Sequence, residues 1–294
     1  VYKSDGTTVI KRWSGFWSNG VAIGDYNNDG LNDIAIVEEF NAAVTVYKSD
    51  GVTVIKQWTG LNFPRGVAIG DYDNDGLNDL AFTEWDTNTV TVFKSDGITI
   101  IKQWTGLAGP YGVAIGDYDN DGLNDLAFSE YHDVRVTVFK SDGTTVIEQW
   151  TGLHGPIYLA IGDYNNDGLN DMAIVEDGFR VAVFKSDGTT IIRQWRGLNG
   201  PYGVAIGDYN NDGLNDLAFA QKDAGTITVC CQTKLNTVAR VAEPTIITLR
   251  GTLTNATGYP IQSGSMRVTV KDSFGMQVWQ DTFDNVIDNG RYNI

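Results

Sequence analysis

Nine residues, Asp71-Tyr72-Asp73-Asn74-Asp75-Gly76-Leu77-Asn78-Asp79, constrain this chain more than any other stretch. They read D-x-D-x-D-G-x-x-D. The stretch recurs from Asp25, Asp117, Asp163 and Asp208, at intervals of 46, 46, 46 and 45 residues. A period of that length marks a tandem repeat, in which each copy buries its apolar faces against its neighbours. Side-chain oxygens fall at loop positions 1, 3, 5 and 9, and the glycine at 6 lets the backbone turn. A hard cation such as Ca²⁺ takes several oxygens at once, and a flexible loop of alternating carboxylates supplies them.

The candidate ligands follow from that spacing. They are Asp25, Asn27, Asp29 and Asp33 in the first loop and Asp71, Asp73, Asp75 and Asp79 in the second. Asp117, Asp119, Asp121 and Asp125 form the third set, and Asp163, Asn165, Asp167 and Asp171 the fourth. Asp208, Asn210, Asp212 and Asp216 form the fifth. Main-chain carbonyls of Leu31, Leu77, Leu123, Leu169 and Leu214, at position 7, add one oxygen to each. The expectation is about five calcium ions, one per loop, each holding a hairpin together. An EF-hand would need a carboxylate at position 12 and a helix after it. Position 12 here is Ile36, Phe82, Phe128, Ile174 or Phe219, which excludes that motif. A bare Asp/Asn/Gly turn would leave three or four carboxylates crowded in nine residues, which is electrostatically costly.

The net charge of −16 has the same origin. The loops hold 17 of the 37 acids, leaving 20 against 21 Lys and Arg. One divalent ion per loop would bring the charge to −6. No basic stripe offsets the acids, so nucleic acid is not an expected partner. No apolar run approaches the roughly 20 residues of a membrane span.

Around each loop the pattern is that of strands. Val67-Ala68-Ile69-Gly70 leads in and Leu80-Ala81-Phe82-Thr83 leads out. Val90-Thr91-Val92-Phe93-Lys94 alternates, Ser95-Asp96-Gly97 reads as a hairpin turn, and a fourth run covers 98–104. Repeats of four short strands are the blades of a β-propeller. The last repeat has a third strand at 226–231 but no fourth, while Thr8-Val9-Ile10-Lys11-Arg12-Trp13 is a fourth strand without its blade. Joining the two predicts an all-β, five-bladed propeller of four-stranded blades, closed by its N- and C-terminal strands. Trp13, Trp58, Trp104, Trp150 and Trp195 share one repeat position and are predicted to pack between blades. Glu38, Glu84, Glu130, Glu176 and Gln221 share another and are read as braces rather than ion ligands.

After Gln232 the pattern stops. The predicted organisation is a propeller over 1–233, a linker over 234–244 and a small C-terminal β module over 245–294. The module's runs are 246–249, 266–270 and 277–279. About 50 residues is thin for an independent core, so this unit is one to which a neighbouring chain can add a strand.

Asp-Gly-Leu-Asn-Asp-Leu-Ala-Phe at 75–82, a loop running straight into an apolar strand, resembles the FG-GAP/VCBS repeat family. The resemblance covers about residues 1–231. It implies a calcium-bearing propeller of the kind found in integrin α-chains and many secreted microbial proteins, although the family's rings usually have seven blades. Gly251-Thr252-Leu253-Thr254 through Asn289-Gly290-Arg291-Tyr292 is similar to small β-sandwich modules of microbial surface proteins.

No catalytic set is apparent in the sequence. The two histidines, His132 and His154, lie in loops of different repeats with no serine or cysteine nucleophile paired to them. Glu39, Asp86, Asp133, Asp177 and Asp223 are scattered acids. Cys230 and Cys231 replace the Phe93-Lys94 pair of other blades, and strand alternation places one thiol inside and one outside. Asn255-Ala256-Thr257 is a glycosylation sequon. Variable segments between blades carry Phe16-Trp17, Phe63-Pro64-Arg65, Pro110-Tyr111, His154-Gly155-Pro156 and Pro201-Tyr202, and those after the second strand carry Trp85 and Tyr131. The expected function is that of a secreted, calcium-stabilised structural or adhesive subunit of a cell surface or extracellular filament. It is expected not to be an enzyme and to self-associate through its C-terminal module. The alternative is a carbohydrate-binding, lectin-like propeller, with a glycosidase behind it. Expected partners are further copies of the chain, glycans or other surface proteins.

Overall fold

β-branched and aromatic residues dominate the third run of each blade, and such runs fit a pleated, half-buried surface. The computed structural model describes residues 18–177 and 180–232, Lys11, and strands at 250–252, 263–271, 277–288 and 291–293. All of its regular elements are strands. Blade one is β1 (Ser18–Gly24), β2 (Asp33–Glu38), β3 (Ala43–Tyr47) and β4 (Val54–Thr59). Blade two is β5 (Pro64–Gly70), β6 (Asp79–Glu84), β7 (Thr89–Phe93) and β8 (Ile100–Trp104). Blade three is β9 (Pro110–Gly116), β10 (Asp125–Glu130), β11 (Arg135–Phe139) and β12 (Val146–Trp150). Blade four is β13 (Pro156–Gly162), β14 (Asp171–Glu176), β15 (Arg180–Phe184) and β16 (Ile191–Arg196). Blade five holds β17 (Pro201–Gly207), β18 (Asp216–Gln221) and β19 (Thr226–Cys230). Strands pair antiparallel in chain order within every blade. Apart from Lys11, the expected closing strand at 8–13 lies outside the described residues.

The chain is thus an all-β, five-bladed propeller, and it divides into two compact units, Val1–Lys234 and Leu235–Ile294. The second unit contains β20 (Arg250–Thr252), β21 (Ser263–Lys271), β22 (Gln277–Asp288) and β23 (Arg291–Asn293). They form one antiparallel sheet in the order β20-β23-β22-β21. The run predicted at 246–249 and the sequon at Asn255 lie outside the described residues.

The first strand of each blade begins earlier than its apolar run suggests. Pro64-Arg65-Gly66 pairs as part of β5, with the register shifting between Pro64 and Val67. The same shift recurs in the other four blades. A bulge of this kind re-aims the side chains it carries. Arg65, Tyr111 and Tyr202, expected in connecting loops, therefore sit on inner strands, and Tyr111 is buried. At Gly66 the inner strands of blades two and three approach so closely that a Cβ would overlap the carbonyl oxygen of Tyr111.

Between blades, the predicted tryptophans do the packing. Trp58 of β4 meets Phe82 and Phe93 of blade two at 5.9 and 5.5 Å between ring centroids. Trp104 meets Phe128 and Phe139 of blade three at 5.7 and 5.5 Å. Trp13 lies outside the described residues. The glutamates brace the segment that joins successive blades. Glu84, Glu130 and Glu176 accept the main-chain N–H of Asn62, Ala108 and His154 at 2.9, 3.0 and 3.0 Å.

The Ser-Asp-Gly turn needs one left-handed residue. Gly97 has φ +67°, its N–H donates to the Lys94 carbonyl at 2.7 Å, and Lys94 N–H donates to Thr99 at 2.8 Å. Asp96 Oδ1 accepts the N–H of Ile98 and of Thr99, and Oδ2 accepts the Thr99 hydroxyl. A Cβ on Gly97 would also lie 2.9 Å from Lys56 Cδ and 3.0 Å from the Tyr26 hydroxyl of blade one. Gly97→Ala is therefore expected to cost on the order of 1–3 kcal/mol, read as a lowered urea midpoint.

The hydrogen bonds of Thr99 and Ile98 hold the Asp96 carboxyl down at about 2, and those of Thr53 and Val52 do the same for Asp50. A depressed carboxylate stabilises the fold above its unfolded value and loses that contribution as pH falls toward the folded one. Stability is thus expected to drop between about pH 4 and pH 2. The drop should be shallower in Asp96→Asn, measured by denaturant midpoints across that window.

Candidate metal centres

The acidic loops connect the first and second strand of each blade, so one end of the ring carries all five. In the second loop, Asp79 is fully buried at the start of β6. Its Oδ2 accepts the N–H of Tyr72 and of Asp73 at 3.0 and 3.2 Å, and its Oδ1 accepts that of Ser95 at 3.0 Å. One carboxylate thereby ties the loop's beginning to the end of the third strand. Asp71 closes the loop on itself. Its two oxygens accept the N–H of Asp75 and Gly76 at 3.0 and 2.9 Å. The same pairs of bonds form on Asp25, Asp117, Asp163 and Asp208.

Two loops bring three carboxylates together. Asp71, Asp73 and Asp79 offer oxygens within 4.8 Å of one another, and so do Asp117, Asp119 and Asp125. Oxygens facing each other across a Ca²⁺ ion are about 5 Å apart, so this all-oxygen donor set fits such an ion. Burial pushes the Asp79 and Asp125 carboxyls up to about 6, with the charges of Asp73 and Asp119 adding to the effect. Main-chain hydrogen bonds oppose that rise.

Asp75 and Asp121, also predicted ligands, stand outside the two clusters and are held by lysines. Lys94 Nζ lies 2.8 Å from Asp73 and 2.9 Å from Asp75. Lys140 Nζ lies 2.7 Å from Asp119 and 2.9 Å from Asp121. Lys48 and Lys185 reach Asp29 and Asp167 at 3.3 and 3.0 Å. The first, fourth and fifth loops carry Asn27, Asn165 and Asn210 at position 3. Each amide oxygen accepts the N–H of Asp29, Asp167 or Asp212 at 2.9, 2.8 and 2.9 Å. The position-7 leucines present their N–H groups to the position-5 aspartates, Leu77 to Asp75 at 2.9 Å.

The FG-GAP-like repeat profile matches residues 25–82, 71–128, 117–174 and 163–219, each span running from one acidic loop through the next. The chain belongs to the FG-GAP-like repeat family. No curated protein sequence matches it. Among solved structures, this FG-GAP chain aligns with BBS1N, solved in complex with ARL6DN, at TM-score 0.52 and 12% identity over 95% of this chain and 92% of that one. It aligns with a protein of unknown function from Bacteroides caccae at TM-score 0.52 and 14% identity, covering 96% and 88%. A chain of the nidogen/laminin complex gives TM-score 0.52 and 16% identity, covering 72% and 74%. At these identities the likeness is one of fold.

The FG-GAP loops contain two positions that the ligand pattern leaves as x. Position 4 is Asn28, Asn74, Asn120, Asn166 and Asn211, and position 8 is Asn32, Asn78, Asn124, Asn170 and Asn215. The first set adopts φ between +57° and +60°, a conformation asparagine tolerates. The second set links loops to one another. Asn124 Nδ2 donates to the carbonyl of Asp71 at 2.7 Å, and its N–H donates to Asn74 Oδ1 at 2.9 Å. Asn78, Asn170 and Asn215 reach the preceding loop in the same way. The invariance of both asparagines across five copies was the available signal.

Cys231 occupies the position of Lys94, and both Cys230 and Cys231 are free thiols, one half-buried and one exposed. Among the described residues no lysine pairs with the fifth loop. His132 is exposed and packs on Trp85 at 4.9 Å between centroids. Loss of the Asn124 amide in Asn124→Ala is expected to cost about 1 kcal/mol of stability. An unchanged urea midpoint would show that the link between loops carries no net energy.

Proposed function

We propose that this FG-GAP propeller is a calcium-stabilised, secreted subunit with a structural or adhesive role at a cell surface or in an extracellular fibre. The observation that carries the reading is the convergence of Asp71, Asp73 and Asp79, and of Asp117, Asp119 and Asp125, on loops that are hydrogen-bonded one to the next. Bound calcium would supply the positive charge that lets these carboxylates stay ionised together. The chain's own residues do the rest. Asp79 and Asp71 hold the loop in shape through main-chain N–H groups, and Lys94 draws Asp73 and Asp75 toward one cation. Ligands on exposed loops suit the weak, high-concentration regime of extracellular calcium modules, with Kd on the order of 10⁻⁴–10⁻³ M. The role is non-catalytic, with the fold serving as a rigid support. Self-association through the C-terminal β unit provides the route to a fibre, by strand addition to its sheet.

Calcium is expected to raise the melting temperature and chelation to lower it, because a ligand that binds only the folded state stabilises it by about 2.7 kcal/mol per site at 100 times its Kd. Titration calorimetry should count about five ions, and Asp71→Ala should remove one. A melting temperature indifferent to both calcium and chelator would overturn the metal reading. In light scattering, the full chain with calcium should exceed monomer mass in a concentration-dependent way. A strict monomer there would overturn self-association.

A further inference from the structure

Five near-identical repeats allow a comparison within one chain. Along the inner strands the positions of Ala22, Ile23 and Gly24 keep the same residue in every copy. The residue that follows the second strand does not. It is Glu39, Trp85, Tyr131, Asp177 and Lys222, five different side chains in five copies. The second residue of the inner strand is nearly as varied: Asn19, Arg65, Tyr111, Ile157 and Tyr202. All ten residues, with Phe40, line a single cavity of about 530 Å³. It opens at the end of the ring opposite the acidic loops, because Pro64 pairs with Glu84 at one end of the hairpin and Gly70 with Asp79 at the other. Varied positions that converge on one cup, beside inner-strand positions that do not vary, are the mark of a site specified on a common frame.

We infer that this cup binds a neutral carbohydrate, a pyranose ring seated among its aromatic side chains. A pyranose has apolar C–H faces and hydroxyl edges, and the cup offers a surface for each. Trp85 and Tyr111 meet edge to face at 5.8 Å, Tyr111 and Tyr202 at 6.3 Å, and Trp85 and Tyr131 lie 5.7 Å apart. Polar groups stand at their rims. The hydroxyls of Tyr111 and Tyr202 are 2.6 Å apart, Tyr202 donates to Asn19 Oδ1 at 3.1 Å, and Tyr131 donates to Asp177 at 2.8 Å. Asn19 in turn donates to Glu39. The Nε–H of Arg65 is buried with no acceptor, an unmade bond that a ligand hydroxyl can complete.

The charges in the cup favour a neutral guest. Two acids, Glu39 and Asp177, face two bases, Arg65 and Lys222, although the chain as a whole carries −16. Glu39 pairs with Arg65 at 3.2 Å, and Lys222 lies 5.1 Å over the Tyr202 ring. A cationic guest would also meet the Arg65 guanidinium, which lies 5.5 and 5.2 Å from the Trp85 and Tyr111 rings and repels a second positive charge. The volume falls within the roughly 300–1,000 Å³ of small-molecule sites.

The test is an array of immobilised neutral, sialylated and sulfated glycans probed with the full chain in calcium buffer, followed by calorimetric titration of the best-retained neutral glycan. Retention of neutral glycans is expected, with affinity about tenfold weaker or worse in Glu39→Gln and in Trp85→Ala. Ile98→Ser, at an exposed outer turn, should bind as the parent does. Glu39→Gln keeps the size of the side chain, and an unaltered melting temperature would show that its fold is intact. Retention of none of the neutral glycans, of charged glycans alone, or of neutral glycans with equal affinity in both cup variants would overturn the inference. The cup shares no residue with the acidic loops. A negative array beside an intact calcium response would therefore refute the cup and leave the metal reading standing.

Discussion

A buried carboxylate at the ninth position of each loop is the constraint on which the rest of this propeller depends. Asp33, Asp79, Asp125, Asp171 and Asp216 are all buried. A charge in that setting is costly unless hydrogen bonds or a counter-charge meet it. The main-chain N–H groups of Tyr72, Asp73 and Ser95 answer Asp79, and doing so fixes where the loop starts and where the third strand ends. The same bonds thus define the blade and gather the acids of the loop. What they leave unmet is repulsion among neighbouring carboxylates, which Lys94 offsets from one side and a cation would offset from within.

Repetition converts that local device into a ring. Gly66 permits inner strands to touch through their backbones, and Trp58 and Trp104 fill the wedge that opens further out. The asparagines at loop position 8 then join one acidic loop to the next. With these contacts repeated, the frame tolerates variation at the other end, where the residues following the second strands differ in every copy. The two ends therefore differ in kind. One repeats a single chemistry five times, and the other assembles eleven residues of mixed chemistry into one cavity.

Much of this was legible because it is local. The loops, the strands that flank them and the interblade tryptophans follow from spacing and strand alternation over stretches shorter than one repeat. One reading needed adjustment, because strand pairing reaches beyond such a stretch. Arg65, Tyr111 and Tyr202 look like loop residues, since proline and glycine beside them usually mark turns, but a bulge lets them continue the inner strand. The acids at position 5 also meet partners that no loop pattern shows, Asp75 at Lys94 and Asp121 at Lys140, which lie nearly 20 residues away in the chain. Asn74 and Asn78 were visible as invariant residues, but their partners lie in other repeats, beyond the reach of a pattern within one loop.

From its residues alone this chain is an all-β tandem array with an oxygen-rich acidic loop in every repeat. Strand alternation, turn chemistry and ligand spacing are short-range properties, set by neighbours a few positions apart. The meeting of Glu39 with Arg65, of Arg65 with Tyr111, and of Tyr111 with Tyr202 belongs to the tertiary structure. Those residues are separated by half a repeat or more, and only the curvature of blades around a common axis brings their side chains into one cup.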